Sequence, residues 1–217
     1  MIRFFNTQWD NVPTAWIDTE TTGTRPGKDR CVQIAVVRFE NAEPVGSACD
    51  FAHPGIPIPE AATAIHGITD LAVKDAPTIE AFMARADVKA LLEGAQPAAY
   101  NAPFDKHFVP PFGEDWTWPW LDALSLVRKV DRFEKGPGRH KLEATCKRHG
   151  IELVGAHDAR VDAMAAGKLF YKLGRQEFPK QYTLGQALSW QRRSEAEEWT
   201  RFMGWLSKQP PRPEAGT

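Results

Sequence analysis

Thr14-Ala15-Trp16-Ile17-Asp18-Thr19-Glu20-Thr21-Thr22-Gly23 is an apolar run that ends in two acids and a turn. Thr14 to Asp18 reads as a β-strand. Residues i and i+2 of a strand share a face, so Asp18 and Glu20 set two carboxylates side by side at the strand's end. Like charges held together are costly unless a cation lies between them. The same residues also fit an exposed polar strand end, or a pairing of Glu20 with Arg25 or Lys28. The stretch that follows, TTGTRPGKD, is rich in Gly, Thr and Pro and reads as a loop.

Working outward, Cys31 to Glu40 (CVQIAVVRFE) is β-branched and apolar, which suits a buried strand. Pro44 to His53 reads as its hairpin partner, giving a meander. Pro54 to Pro59 is a loop, and Glu60 to Ile65 forms helical turns ended by Gly67. Ile79, Phe82, Met83, Ala86 and Ala90 predict one helix over Pro77 to Leu92. Pro97 to Tyr100 reads as a short strand. Asn101 then reads as the N-cap of a helix carrying Pro103, Phe104 and Phe108. Leu121 to Val130 and Lys141 to His149 read as helices. Ala159 to Leu173 is a longer one, with Ala163, Ala166 and Gly167 on a face that admits close approach to a sheet. After Leu173, GRQEFPKQYT reads as a connector. Ser194 with Glu197 fits a capping box opening a helix at Glu195 to Ser207, and Thr183 with Gln186 fits the same pattern more weakly. PPRPEAGT reads as a disordered end. Strands first, then alternating strands and helices, predict an α/β fold about one mixed sheet.

The 217 residues are 42% apolar and 25% charged, which excludes a disordered, collagenous or low-complexity chain. The net charge of -1 leaves no global basic field for a polyanion. One local exception is Arg128 to His149, with eight Lys or Arg against three acids. It either lines a substrate path, with Gly136 to Gly138 as a mobile loop, or is a solvated charged face. Cys31, Cys49 and Cys146 are odd in number and lack CxxC spacing, which points to a reducing compartment. No run reaches the length of a membrane span, and the first dozen residues lack a signal-peptide core, so a cytoplasmic protein is expected.

Two further stretches carry acids. Asn101 to Phe108 (NAPFDKHF) places Asp105 in the first turn of a helix, where the helix dipole alone would account for it. In His157 to Ala163 (HDARVDA), His157 and Asp162 are five apart. They converge only if His157 precedes a helix that Asp158 caps and Asp162 lies inside.

In order, spacing and context, DTETTG, NAPFDKHF and HDARVDA resemble the three motifs of the DEDD family of 3'-to-5' exonucleases, in its histidine-containing branch. Ala64 to Thr69 (AIHGIT) resembles a connecting loop of the same proteins, and the likeness runs from about Ala15 to Leu173. It implies a ribonuclease H-like mixed sheet, an antiparallel meander followed by parallel strands, flanked by helices. An exonuclease domain over 1–175, a helical C-terminal extension over 176–209 and a disordered tail over 210–217 are expected.

The resemblance also implies two divalent cations, Mg²⁺ or Mn²⁺, which suit hard oxygen ligands. Asp18 would bridge both. Glu20 and Asp162 would hold the ion carrying the nucleophilic water, Asp105 would support the second, and His157 would be the general base. Histidine's ordinary pKa near working pH suits that role. Thr21, Ile65, His66 and Phe104 would surround the terminal nucleotide, although Phe104 could equally pack on Phe108. The implied substrate is the 3' end of a single-stranded nucleic acid, DNA before RNA. An RNA-trimming enzyme, a short-oligonucleotide phosphodiesterase and a non-catalytic polymerase-accessory module are the alternatives. Gln186 to Trp190 (QALSW) has the look of a sliding-clamp peptide, and a polymerase or clamp is the implied partner. Tyr100 and Gln33 depart from the family's usual histidine and glutamate.

Overall fold

The computed structural model describes residues 4–112 and 119–206. Strands β1 (Thr14–Thr21), β2 (Cys31–Glu40) and β3 (Glu43–Phe51) form the antiparallel meander, and β4 (Gln96–Ala99) and β5 (Leu121–Asp122) run parallel to β1. The order is β3-β2-β1-β4-β5, so β1 is central. The helices are α1 (Glu60–His66), α2 (Asp70–Val73), α3 (Ile79–Ala84), α4 (Ala86–Leu92), α5 (Ala102–Phe108), α6 (Ala123–Val130), α7 (Leu142–His149), α8 (Ala159–Glu177) and α9 (Leu184–Leu206).

The two faces of the sheet bury separate cores. Trp16, Val37 and Phe39 meet Leu169, Phe170 and Leu173 of α8 on one face. Ile17, Ile34 and Val36 meet Phe82, Val88 and Phe108 on the other. The small face of α8 works as the sequence suggests: a methyl group added at Gly167 would lie 2.6 Å from the Phe39 ring. The period-2 alternation that turns Trp16 toward α8 turns Asp18 and Glu20 the same way, and turns Thr19 toward α5. At the end of β1 the pairing with β2 shifts between Glu20 and Thr21, a bulge of the kind that bends a strand's end and re-aims its side chains.

Four boundaries differ from the sequence reading. The helix expected over Pro77 to Leu92 breaks at Arg85, which is extended (φ -60°, ψ 142°) and ties its guanidinium to Asp87 and Asp50. Leu121 and Asp122 form β5 instead of opening a helix, and Asp122 caps α6 through the Leu124 N–H at 3.2 Å. Helix α8 continues through Gly174 to Glu177, because Trp9 packs flush on Gly174, where a methyl group would come within 2.5 Å of the ring. Helix α9 begins at Leu184. The box that opens it is Thr183–Gln186, with the Thr183 N–H donating to Gln186 Oε1 at 2.8 Å and the Gln186 N–H donating to Thr183 Oγ1 at 3.3 Å. Ser194 lies inside that helix, 8% exposed, and caps nothing.

The first half of α9 packs on the body. Ala187 and Leu188 are buried, and Trp190 meets Phe178 edge-on at 5.1 Å, so QALSW is a packing segment and not a displayed clamp peptide. Farther along, the Gln191 side chain accepts from the Asp122 N–H at 3.0 Å and donates to the Trp120 carbonyl at 3.1 Å, doing for β5 what a neighbouring strand would. The side chains of Phe202, Trp205 and Leu206, and the disordered end expected for PPRPEAGT, lie outside the described residues. Among the described residues no helix is long and apolar enough to cross a membrane, and Cys31, Cys49 and Cys146 are free thiols.

Candidate active site

The start of α8 is built to converge on the end of β1. Asp158 is the N-cap, accepting from the N–H groups of Arg160 at 3.0 Å and Val161 at 3.4 Å. From the neighbouring strand, Gln33 Oε1 accepts from the Ala159 N–H at 3.1 Å and fixes the helix start against β2. His157 takes a left-handed φ of 68°, unusual for a side chain of its size, and this folds it back toward the helix. Its N–H then donates to Asp162 Oδ2 at 3.2 Å. Ligand atoms of Glu20, His157 and Asp162 all lie within 4.8 Å of one another. The other oxygen of Asp162, Oδ1, is buried with no hydrogen-bond partner among the described residues.

Asp105 reaches the same strand from the other side. It sits in the first turn of α5, 3% exposed, and its Oδ1 accepts from the Thr19 N–H at 3.0 Å and the Thr19 hydroxyl at 2.9 Å. Asn101 occupies the N-cap position of α5 but its side chain caps nothing, and Asp122 accepts from the Ala102 N–H at 3.3 Å instead. Asp18 lies between these groups on β1. Neither Asp18 nor Asp105 joins the tight triplet. Arg25 pairs with Asp29 at 3.6 Å, so it serves the loop and not Glu20.

Electrostatics set these acids apart. Burial, then the charges of Asp105, Asp162 and Glu20, pushes Asp18 well above the usual carboxylate range. Burial and the charges of Asp162 and Asp105 push Glu20 to about 8. Burial raises Asp105 to about 7 against the two Thr19 bonds, and burial raises Asp162 against the His157 N–H. The largest charges acting on Asp18 and Glu20 are other carboxylates. Such a cluster lacks its counter-charge, and an orphan buried oxygen among hard donors fits a divalent cation such as Mg²⁺ or Mn²⁺.

A rim of less polar groups borders the carboxylates. His66 accepts from the Ile68 N–H at Nδ1 (3.0 Å), which assigns its own proton to Nε2, a buried atom beside the Thr21 backbone. Burial lowers its pKa, the Thr21 backbone opposes the shift, and the nearby His157 adds to it. Ile65 beside it is 61% exposed. Thr21 is buried and donates to the Gly23 carbonyl at 2.6 Å. Phe104 does both things the sequence allowed, packing against Phe108 at 4.9 Å with tilted rings while staying half-exposed.

Two contributors escaped the sequence reading. Thr19 orients Asp105, and only strand alternation hinted that it faces away from Asp18. Gln33 anchors α8, a role that appears only once β2 is set in register. Tyr100, the other departure, donates its hydroxyl to the His140 carbonyl and contacts Thr145 Oγ1 at 3.2 Å, holding the start of α7 near the site.

Comparison with known proteins agrees with this geometry. The pattern of the RNase_T exonuclease family matches residues 15–170. A DNA polymerase III subunit epsilon-like protein of Rhodobacter capsulatus is 39% identical over 176 residues, which are 77% of this chain and 24% of that protein. A PolC-type DNA polymerase III of Halalkalibacterium halodurans is 32% identical over 162 residues, 72% of this chain and 11% of that one. The chain thus spans a quarter or less of the length of these curated relatives. Among solved structures, exonuclease I matches with a TM-score of 0.65 at 26% identity, over 78% of this chain and 42% of its own. Exonuclease X in complex with 5' overhanging duplex DNA matches with a TM-score of 0.63 over 82% of this chain and 99% of its own; at 23% identity that likeness is one of fold. With its mixed sheet shared by those enzymes and the family pattern running through every strand and most of α8, this chain belongs to the RNase_T family of exonucleases.

Proposed function

We propose that the chain is a metal-dependent 3'-to-5' exonuclease that releases nucleoside 5'-monophosphates from the 3' end of single-stranded DNA. The observation that carries this reading is the Glu20–His157–Asp162 triplet with its orphan Asp162 oxygen, set beside Asp18 at the end of the central strand. Asp18, Glu20, Asp105 and Asp162 are the residues that would hold the cations. When bound, such ions lower the pKa of water and offset the charge that builds on a phosphodiester during displacement.

The protein's own groups do the rest. His157 takes the proton of the attacking water as general base. Its main-chain bond to Asp162 keeps the imidazole over the carboxylates while the side chain itself stays exposed. The new P–O bond forms as the bond to the 3' oxygen of the shortened strand breaks, and that oxygen takes a proton from solvent water and leaves as a hydroxyl. At the rim, the Nε2–H of His66 is a ready donor to a nucleotide oxygen, and Ile65 and Phe104 offer apolar surface to the terminal bases. Thr21 closes the floor.

DNA is preferred over RNA because the first motif and the AIHGIT loop follow the proofreading type, and exonuclease X is seen with overhanging duplex DNA. Association with a replicative polymerase is proposed from the polymerase III relatives. A cytoplasmic setting is proposed from the three free thiols. The test uses 5'-labelled DNA and RNA of one sequence with Mg²⁺, Mn²⁺ or EDTA, beside Asp18→Ala. The expected result is a ladder shortening from the 3' end, faster on DNA, absent with EDTA and in the variant. No cleavage of either strand would sink the reading in favour of a binding module.

A further inference from the structure

We propose that the groove between α6 and α9 is a second single-strand site, which holds the DNA several nucleotides upstream of the 3' end being cleaved. This rests on the exonuclease reading above and extends it to substrate length. The groove has a volume of about 700 Å³ and is walled by the end of α6, the segment that follows it and the middle of α9. Five Lys or Arg line it against two acids, in a chain whose net charge is -1. Four of the eight cations in the Arg128 to His149 segment, Arg128, Lys129, Arg132 and Arg139, are gathered here against the C-terminal helix.

The division of labour among these cations is readable. Arg128 and Lys129 reach Glu198 at 3.3 Å and Glu197 at 3.9 Å, so they hold α9 to α6. Among the described residues Arg132 and Arg201 form no ion pair, and Arg139 donates from Nη1 to the Gly136 carbonyl at 2.7 Å while its buried Nε has no hydrogen-bond partner. Aromatic surface accompanies the charge. Phe133 is 77% exposed and Trp199 63%, one on each wall, and the Arg132 guanidinium lies 4.8 Å from the Phe133 ring centroid. Cations for phosphates beside exposed rings for bases are the combination that single strands stack upon, and it fits neither an apolar helix nor a duplex read by its grooves.

Position favours the same occupant. The groove's near end is His140, whose carbonyl is held by Tyr100, the residue before the NAPFDKHF motif. Glu143, three residues farther on, is near enough for its charge to act on Asp162. A strand leaving the carboxylates along the start of α7 therefore enters the groove at His140 and passes Arg139 and Phe133 toward Trp199.

The experiment compares Arg132→Glu/Arg201→Glu and Phe133→Ala/Trp199→Ala with wild type and with Lys89→Glu, a charge control on α4 across the sheet. Steady-state cleavage is measured on oligo-dT of 4 and of 20 nucleotides, and Tm confirms folding. The groove predicts that KM on the 20-mer rises at least about fivefold in both double variants. KM on the 4-mer and kcat on both lengths should stay as in wild type and as in Lys89→Glu. Binding of the fluorescent 20-mer to Asp18→Ala in EDTA gives a readout that needs no cleavage. There the Arg double variant should lose affinity, and its log–log salt slope should shrink by about 0.7 for each phosphate contact removed. If the chain cleaves nothing but these binding losses appear, the groove stands and the catalytic reading falls. An unchanged KM on the 20-mer, or an equal loss on both lengths, overturns the groove. So does displacement of the 20-mer by an acidic peptide at equal concentration, which would make the surface a protein-docking site.

Discussion

The main-chain N–H of His157 lies 3.2 Å from Asp162 Oδ2, five residues on, and it reaches there only because His157 adopts φ 68°. A backbone strained in this way persists when its surroundings hold it, and strain of this kind gathers at functional positions. His157→Gly should remove the strain and keep the N–H bond, so Tm should hold or rise. The same change deletes the imidazole, and turnover should fall by about 10²-fold or more. Thermal melting with single-turnover kinetics checks both halves. Full activity across pH in the variant would end the general-base assignment.

The acids at the site make the metal-free protein sensitive to alkali. Glu20 at about 8 and Asp105 at about 7 sit above the ~4 of an unfolded carboxyl. The folded state therefore binds more protons than the unfolded one between those limits. Stability in EDTA should fall as pH rises from about 4 toward 8, where the cluster loses the protons that burial favours. Adding Mg²⁺ or Mn²⁺ should recover Tm, most strongly at the upper end. Glu20→Gln should flatten the EDTA profile, raise Tm near pH 8 and blunt the metal response. A metal-free Tm that climbs over this range would contradict the clustering of charge described above.

Thr19 holds Asp105 with both its N–H and its hydroxyl. Thr19→Val keeps the shape and the N–H but removes one donor from a buried carboxylate. Loss of such an outer partner costs about 10- to 100-fold in metal affinity or activity in metal sites. A shift of the Mg²⁺ activation midpoint by about tenfold, restored in Thr19→Ser, is the expected result. Equal midpoints in Thr19→Val and wild type would show that the hydroxyl is incidental.

Gly167 separates stability from chemistry. A methyl group there meets the Phe39 ring at 2.6 Å and Trp16 at 3.1 Å, on the buried face of α8. Gly167→Ala should cost about 1–3 kcal/mol through overpacking, read by urea denaturation. Cleavage at a temperature where the variant remains folded should match wild type. A large fall in kcat would mean that α8 transmits the shift to Asp162 one and a half turns earlier.

What the sequence could disclose followed local rules. Alternation along TAWIDTET paired Asp18 with Glu20. Asp158 as N-cap was the arrangement that would let His157 and Asp162, five residues apart, converge. The breaks that escaped it have distant causes. Arg85 leaves the helix with its guanidinium on Asp87, a local partner, and on Asp50 of β3, which nothing local announces. Two capping boxes competed for α9, and the weaker one prevailed because Leu184 and Gly185 donate to the Thr7 and Phe5 carbonyls, which pins the chain there. A two-residue strand such as β5 carries too little pattern to be told from a helix start. Asp105 looked like an ordinary dipole-stabilised acid until the fold set Thr19 beneath it.

With one amide Gln191 meets the Asp122 N–H and the Trp120 carbonyl at β5. The C-terminal helix is thus a plug on the one parallel margin of the sheet. A chain truncated after Glu177 would uncover that margin, a bare row of donors and acceptors inviting another copy to add its own strand. The truncated protein should therefore self-associate in a concentration-dependent way, read by sedimentation, even with Asp18, Glu20, Asp105, His157 and Asp162 all present.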